Sequence, residues 1–186
     1  MRLAKKIGLG ILAAVVVLAA VIATRPAAFE IQRTATITAP AEVVFGQITD
    51  LHRWAAWNPF EKGDPSMKLT YLGAPSGVGA GYHYVSERTG EGRMTVTDVT
   101  PNRRVAVKAE FIKPFAATNE IEFTLQPAGN GVAITWAMRG NNNFLGKAIS
   151  LFVSMDKMVG TQFEKGLADL KQVAEQEAGR RKEGGA

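Results

Sequence analysis

The chain offers few side chains for covalent or acid–base chemistry. Cysteine is absent from its 186 residues. That excludes disulfides, iron–sulfur clusters, thiolate zinc sites and cysteine nucleophiles together. The two histidines, His52 and His83, have no second histidine or glutamate at ligand spacing, so no metal and no other cofactor is implied. Ser66, Ser76, Ser86, Ser150 and Ser154 lack the context of a nucleophile elbow. The run GAPSGVGAG, Gly73 to Gly81, has no Lys-Ser/Thr ending and opens no long helix. It is neither a phosphate loop nor a dinucleotide turn, and reads as a flexible loop between strands.

Better candidates sit on a strand. Tyr82, Tyr84 and Ser86 share one face, His83 and Val85 the other, and Glu87 follows. With the tyrosines inward, two phenols in an apolar space would orient a ligand carbonyl or hydroxyl; the alternative is packing of the rings alone. Trp54 and Trp57, three apart, share a face of a helical turn. They either seal the end of the domain or form the mouth of a cavity or a membrane-facing contact. Glu110, Glu120 and Glu122 lie on strands, where alternation places them toward solvent, and a buried glutamate among them would be the best general acid. Arg33 shares a face with Ile31 and Ile37 and needs a partner there, for which Glu110 or Glu122 is available.

These residues must be held by a regular frame. Period-two patterning predicts seven strands: Phe29–Thr38, Met67–Leu72, Tyr82–Arg88, Gly90–Val99, Arg103–Ile112, Thr118–Pro127 and Gly131–Arg139. Their short connections predict an antiparallel meander. Between the first two strands, a helix opens near Pro40, and Asp50 caps a short turn over Leu51–Ala56 that Asn58-Pro59 ends. One long helix is expected from Phe144 to Glu177. Its apolar stripe is Phe152, Met155, Val159, Phe163, Leu167, Leu170 and Ala174. Gly160 and Gly166 each cost about 1 kcal/mol in such a helix, and permit either close approach to the sheet or room for a ligand. Residues 179–186 read as a frayed polar tail.

The N-terminus differs in kind. Residues 1–6 carry Arg2, Lys5 and Lys6, and Ile7–Ala23 is then a 17-residue run without charge. As a helix the run spans about 26 Å, at about 1.5 Å per residue. The hydrocarbon core is about 30 Å thick, and Thr24 with snorkelling Lys6 and Arg25 covers the difference. The run exceeds the usual 7–15 residue core of a cleaved signal, so a retained anchor over residues 7–24 is favoured over cleavage. The basic flank then stays in the cytoplasm. Residues 25–178 form one domain in a periplasm or extracellular space, although Arg25 and Arg33 weaken that bias. Of 22 basic residues against 17 acidic, those three lie before the run; without them 19 remain, too small an excess to imply a nucleic-acid partner.

Three stretches carry a resemblance: Ile37–Phe45 (ITAPAEVVF), Asp50–Pro59 (DLHRWAAWNP), and Met155–Gly160 (MDKMVG) running into Phe163–Lys171 (FEKGLADLK). In that order over about residues 29–175, they resemble the START-like superfamily, and within it the polyketide cyclase/dehydrase and lipid-transport group of SRPBCC proteins. The resemblance implies an α+β helix-grip fold, a curved antiparallel sheet wrapped around a long C-terminal helix with an apolar cavity between them; here one transmembrane helix precedes it. Relatives bind lipids, sterols, polyketides or plant hormones, and only some are enzymes. Three functions follow: a membrane-anchored binding or transport module for a hydrophobic small molecule or lipid, a cyclase/dehydratase-like enzyme using general acid–base catalysis, and a partner-binding or chaperone-like domain with a collapsed interior. The scarcity of acid–base residues favours the first. Its expected ligand-binding residues are Tyr82, Tyr84, Trp54, Trp57, Gly160 and Phe163. Oligomeric state is open.

Overall fold

Strand alternation organises the chain from residue 28 to residue 141. The structure, a computed structural model, describes residues 2–184, with side chains from Lys5 onward. The seven strands are β1 (Ala28–Ile37), β2 (Lys68–Gly73), β3 (Ala80–Ser86), β4 (Gly90–Thr100), β5 (Arg104–Lys113), β6 (Ala117–Ala128) and β7 (Gly131–Asn141). They form one antiparallel sheet in the order β1-β7-β6-β5-β4-β3-β2. The meander thus runs from one edge inward, and β1 closes the far side against β7, Ala28 opposite Asn141 and Ile37 opposite Val132. The sheet wraps a long C-terminal helix, as the helix-grip reading expects.

Five helices accompany it: α1 (Arg2–Thr24), α2 (Ala41–Thr49), α3 (Pro59–Lys62), α4 (Phe144–Ile149) and α5 (Met155–Glu183), with a 3-10 turn over Leu51–Ala56. Asp50 caps that turn as expected, its carboxylate accepting from the His52 amide at 3.0 Å. Asn58 ends the turn and also starts α3, accepting from the Phe60 amide at 3.2 Å. The single helix expected from Phe144 is in fact two. Asn143 caps α4 and Ser154 caps α5, accepting from Gly146 and Lys157 amides at 2.8 and 3.2 Å; Phe152 falls in the break and is exposed. The supposed tail is helical as far as Glu183, where buried Ala178 extends the apolar stripe. Helix α1 contains 20 residues, Lys5–Thr24, long and apolar enough to cross a membrane.

Helix α2 and the middle of α5 share one buried core with the sheet. Val43, Val44 and Ile48 pack there with Leu167, Leu170, Leu125 and Ile134. Arg33 faces α5 as strand alternation requires, but its partners are not the expected glutamates. Its guanidinium donates to Asp156 at 3.0 Å and to Glu164 at 2.7 Å. Glu122 lies on the opposite face of the sheet, paired with Arg104 and with Arg139.

The two helix glycines answer different neighbours, and neither opens space for a ligand. A Cβ on Gly160 would meet the Arg33 guanidinium at 2.1 Å; on Gly166 it would meet the Trp136 ring at 2.7 Å and Pro59 at 2.8 Å. Arg33 can swing aside, giving up ion pairs worth about 0–1 kcal/mol, while the new alanine gains about 1 kcal/mol of helix propensity. The rings under Gly166 cannot, so overpacking there costs about 1–3 kcal/mol. Gly160→Ala is therefore expected to unfold in urea within about 1 kcal/mol of the parent. Gly166→Ala should be the less stable of the two, and equal midpoints would contradict this account.

Candidate functional site

At the other end of α5 the filling runs out. A cavity of about 500 Å³ lies between the inner face of the sheet and α3, α4 and the first turns of α5. That size is in the range of small-molecule sites. Strand alternation turns Tyr82 and Tyr84 of β3 inward, where both are buried. Trp54 reaches the cavity from the 3-10 turn and Phe163 from α5. Trp57 and Gly160 do not line it. Trp57 is fully buried among Trp54, Phe123 and Trp136, with ring centroids 5.3 to 5.9 Å away, and it seals the packed core. Gly160 lies under Arg33. Methionines complete much of the wall, among them Met94, Met138 and Met155, soft side chains that adapt to irregular space.

The polar group that sequence reading passed over is Glu61 on α3. It lines the cavity and is buried. Tyr82 Oη donates to its Oε1 at 2.8 Å and Asn58 Nδ2 donates to the same oxygen at 3.2 Å. Its Oε2 has no hydrogen-bond partner among the described residues, and the same holds for the indole Nε1 of Trp136, another lining residue. Burial pushes the Glu61 carboxyl up from 4.5 to about 7, against the opposing pull of its two hydrogen bonds. Burial, and then the neighbouring Glu61 charge, push the Tyr82 phenol well above its ordinary 10.0. The indoles of Trp54 and Trp57 are satisfied by the Ile48 and Gln47 carbonyls at 2.9 and 3.2 Å.

A short polar latch holds α3 in place. Asp64, just after that helix, accepts from the Ser66 amide at 3.1 Å, from Ser66 Oγ at 2.6 Å and from Ser86 Oγ. These hydrogen bonds keep its carboxyl below the usual range. Because Ser86 shares a strand face with Tyr82 and Tyr84, the latch ties the loop after α3 to the strand that carries the phenols. The signal for α3 was present in sequence: Asn58, then Pro59 at the first helical position and Glu61 three residues after the cap form a capping-box pattern.

The remaining candidates lie elsewhere. His52 stacks on Tyr71 with ring centroids 3.8 Å apart, His83 contacts Glu91 at 3.1 Å, and Glu87 is exposed in the β3–β4 turn. None of these three lines the cavity. Lys108 bonds Glu110 at 2.7 Å. A wider hollow of about 740 Å³ involves Glu30, Lys108, Glu120 and Arg139 on the outer face of the sheet; it is shallow and open, and its charged groups are paired with one another or with neighbours. The only titratable side chains lining the cavity, among the described residues, are Glu61, Tyr82 and Tyr84.

Residues 28–175 match the family model described as polyketide cyclase / dehydrase and lipid transport. A search of curated proteins found no match. Solved structures share the fold. Protein MLL2253 from Mesorhizobium loti is 16% identical with a TM-score of 0.59, over 80% of this chain and 98% of that one. The Aha1 dimer from Colwellia psychrerythraea is 17% identical at 0.57, over 79% and 96%. Protein BH1534 from Bacillus halodurans is 16% identical at 0.57, over 81% and 99%.

The raised Glu61 value has a measurable consequence. Between 4.5 and about 7 the folded chain retains a proton that the unfolded chain releases. Stability from this group therefore falls as pH rises through that window, then stays level above it. At about 1.36 kcal/mol per pKa unit the whole effect is roughly 3 kcal/mol. Glu61→Gln, which keeps an acceptor for Tyr82, should remove it. Urea unfolding at about pH 5 and about pH 8 should show the variant gaining stability over the parent at the higher pH. A constant difference between the two proteins would contradict a neutral buried carboxyl.

Proposed function

We propose that this chain, which belongs to the polyketide cyclase / dehydrase and lipid transport family, is a membrane-tethered carrier site for a lipophilic molecule with one acceptor oxygen. The observation that carries this reading is a hollow of about 500 Å³ with mostly apolar walls and an unpartnered oxygen of a buried carboxyl among its lining residues. An apolar ligand gains about 0.8 kcal/mol for each methylene it removes from water. Its oxygen meets the donor the cavity lacks an acceptor for: Oε1 of Glu61 already accepts from Tyr82 and Asn58, so the carboxyl proton resides on Oε2. The Trp136 indole N–H, also unpartnered, is a second donor. Helix α1, with Arg2, Lys5 and Lys6 before its apolar run, tethers the domain and places it on the non-cytoplasmic side by the positive-inside rule.

Two other readings have less support. A cyclase or dehydratase needs a base as well as an acid; beside Glu61 the cavity offers only phenols whose burial disfavours ionisation at neutral pH. A partner-binding domain with a collapsed interior leaves a cavity of this size without a purpose.

Native mass spectrometry of the full chain, released from detergent in the presence of a neutral long-chain ketone, tests the proposal. One ketone per chain is expected. Occupancy should fall as pH rises through about 7, because the ionised carboxylate then repels the ketone oxygen, and Glu61→Gln should abolish that pH dependence. Met94→Trp, which fills the wall, should reduce affinity by at least about tenfold, the equivalent of roughly 1.4 kcal/mol, without unfolding the domain. No stoichiometric adduct at saturating ketone would overturn the reading.

A further inference from the structure

The rim of the cavity is more apolar than a water-facing rim should be. Phe115 in the β5–β6 turn is 58% exposed, Phe144 at the start of α4 57% and Phe152 after it 84%, with Leu145, Ile149 and Val153 exposed among them. Phe115, Leu145 and Ile149 also line the cavity, so the exposed patch and the entrance are one surface. A contiguous exposed apolar patch calls for a partner.

The end of α1 indicates which partner. Only Arg25–Ala27 separate α1 from β1, and the Asn142 amide donates to the Ala27 carbonyl at 2.8 Å, which holds this connector beside the start of α4. The last turn of α1 rests on α4: Ile22 is buried there, and Lys147 Nζ donates to the Ala23 carbonyl at 3.4 Å. Helix α4 therefore lies at the depth where the apolar run of α1 ends. Arg25 in the connector, Lys147 in α4 and Lys157 in the first turn of α5 flank the apolar side chains of this region along the chain, as cations do at an anionic lipid interface.

We propose that α4 and the β5–β6 turn lie in the headgroup region of the bilayer that holds α1, so that the cavity opens onto lipid and its ligand enters from the membrane. The ligand class is then a membrane-resident lipophile, not a solute taken up from water. This inference rests on reading α1 as an anchor.

Because the chain has no cysteine, a single probe site can be introduced without background. Full-length Phe152→Cys, labelled with an environment-sensitive nitrobenzoxadiazole, is reconstituted into phosphatidylcholine/phosphatidylglycerol vesicles. Val78→Cys serves as the reference: it is also an exposed apolar side chain, 59% against 84% for Phe152, and lies in the β2–β3 loop at the opposite end of the sheet. Blue-shifted emission at position 152, quenched at least about twofold more strongly by shallow spin-labelled lipid than at position 78, is the expected result. Matching water-like emission at both sites overturns the inference. So does a blue shift that spin-labelled lipid does not quench, since the patch would then be covered by protein, such as a second copy of the chain. Release of the chain from vesicles by alkaline carbonate overturns the anchor itself, and is recognised separately from either. Lipid quenching without ketone binding would leave the membrane contact standing and remove the carrier reading alone.

Discussion

The stack of Trp136 on Phe163, ring centroids 4.2 Å apart and 11° from parallel, divides the space between sheet and helix. On one side Trp57, Phe123 and Leu167 leave no room. On the other, the helix presents Val159 and Met155 and the sheet presents Met138 and Ile121, and the cavity begins. The stack forms only because Gly166 has no side chain to hold α5 away from the indole, since a Cβ there would stand 2.7 Å from it. A dense core and a hollow can share one helix because rigid rings at the boundary keep the hollow from collapsing.

Two carboxyls three residues apart show how position on this frame sets chemistry. Asp64 accepts several hydrogen bonds and is held ionised, while Glu61 is buried with one oxygen unserved and is held largely neutral up to about 7. The difference lies in the surroundings and not in the acid. The same strand serves both, Ser86 for Asp64 and Tyr82 for Glu61. The outer face follows a third rule: its carboxylates, such as Glu122, are matched by arginines at the surface.

All seven strands were legible because alternation is a local pattern that burial on one face enforces residue by residue. It puts Tyr82 and Tyr84 together on one face and Arg33 on the face of Ile31 and Ile37, but which of the β3 faces turns inward is set by the fold. It could not name the partners of Arg33, because Asp156 and Glu164 lie more than a hundred residues away and reach it only through the path of α5. Reading Phe144–Glu177 as one helix failed because Phe152 completes an apolar stripe on paper, whereas the Ser154 cap and the exposure of Phe152 belong to a break. Sequence alone passes over Glu61 because Asn58-Pro59 reads as a stop, whereas the same pair also begins a helix. Trp54 and Trp57 look equivalent in sequence, yet one borders the hollow and the other the solid core, a difference that depends on where the Trp136 stack falls.

The three residues Arg25–Ala27 also limit what the domain can do with a captured molecule. Fully stretched, they reach about 10 Å, at roughly 3.3–3.6 Å per residue, and the hydrogen bond from Asn142 shortens that span further. With α1 in a bilayer, the domain cannot leave the surface, cross an aqueous gap or deliver cargo to a facing membrane. A carrier tethered in this way would be a stationary berth: whatever it lifted from the lipid would have to be collected in place, by a diffusing acceptor that comes to the same surface.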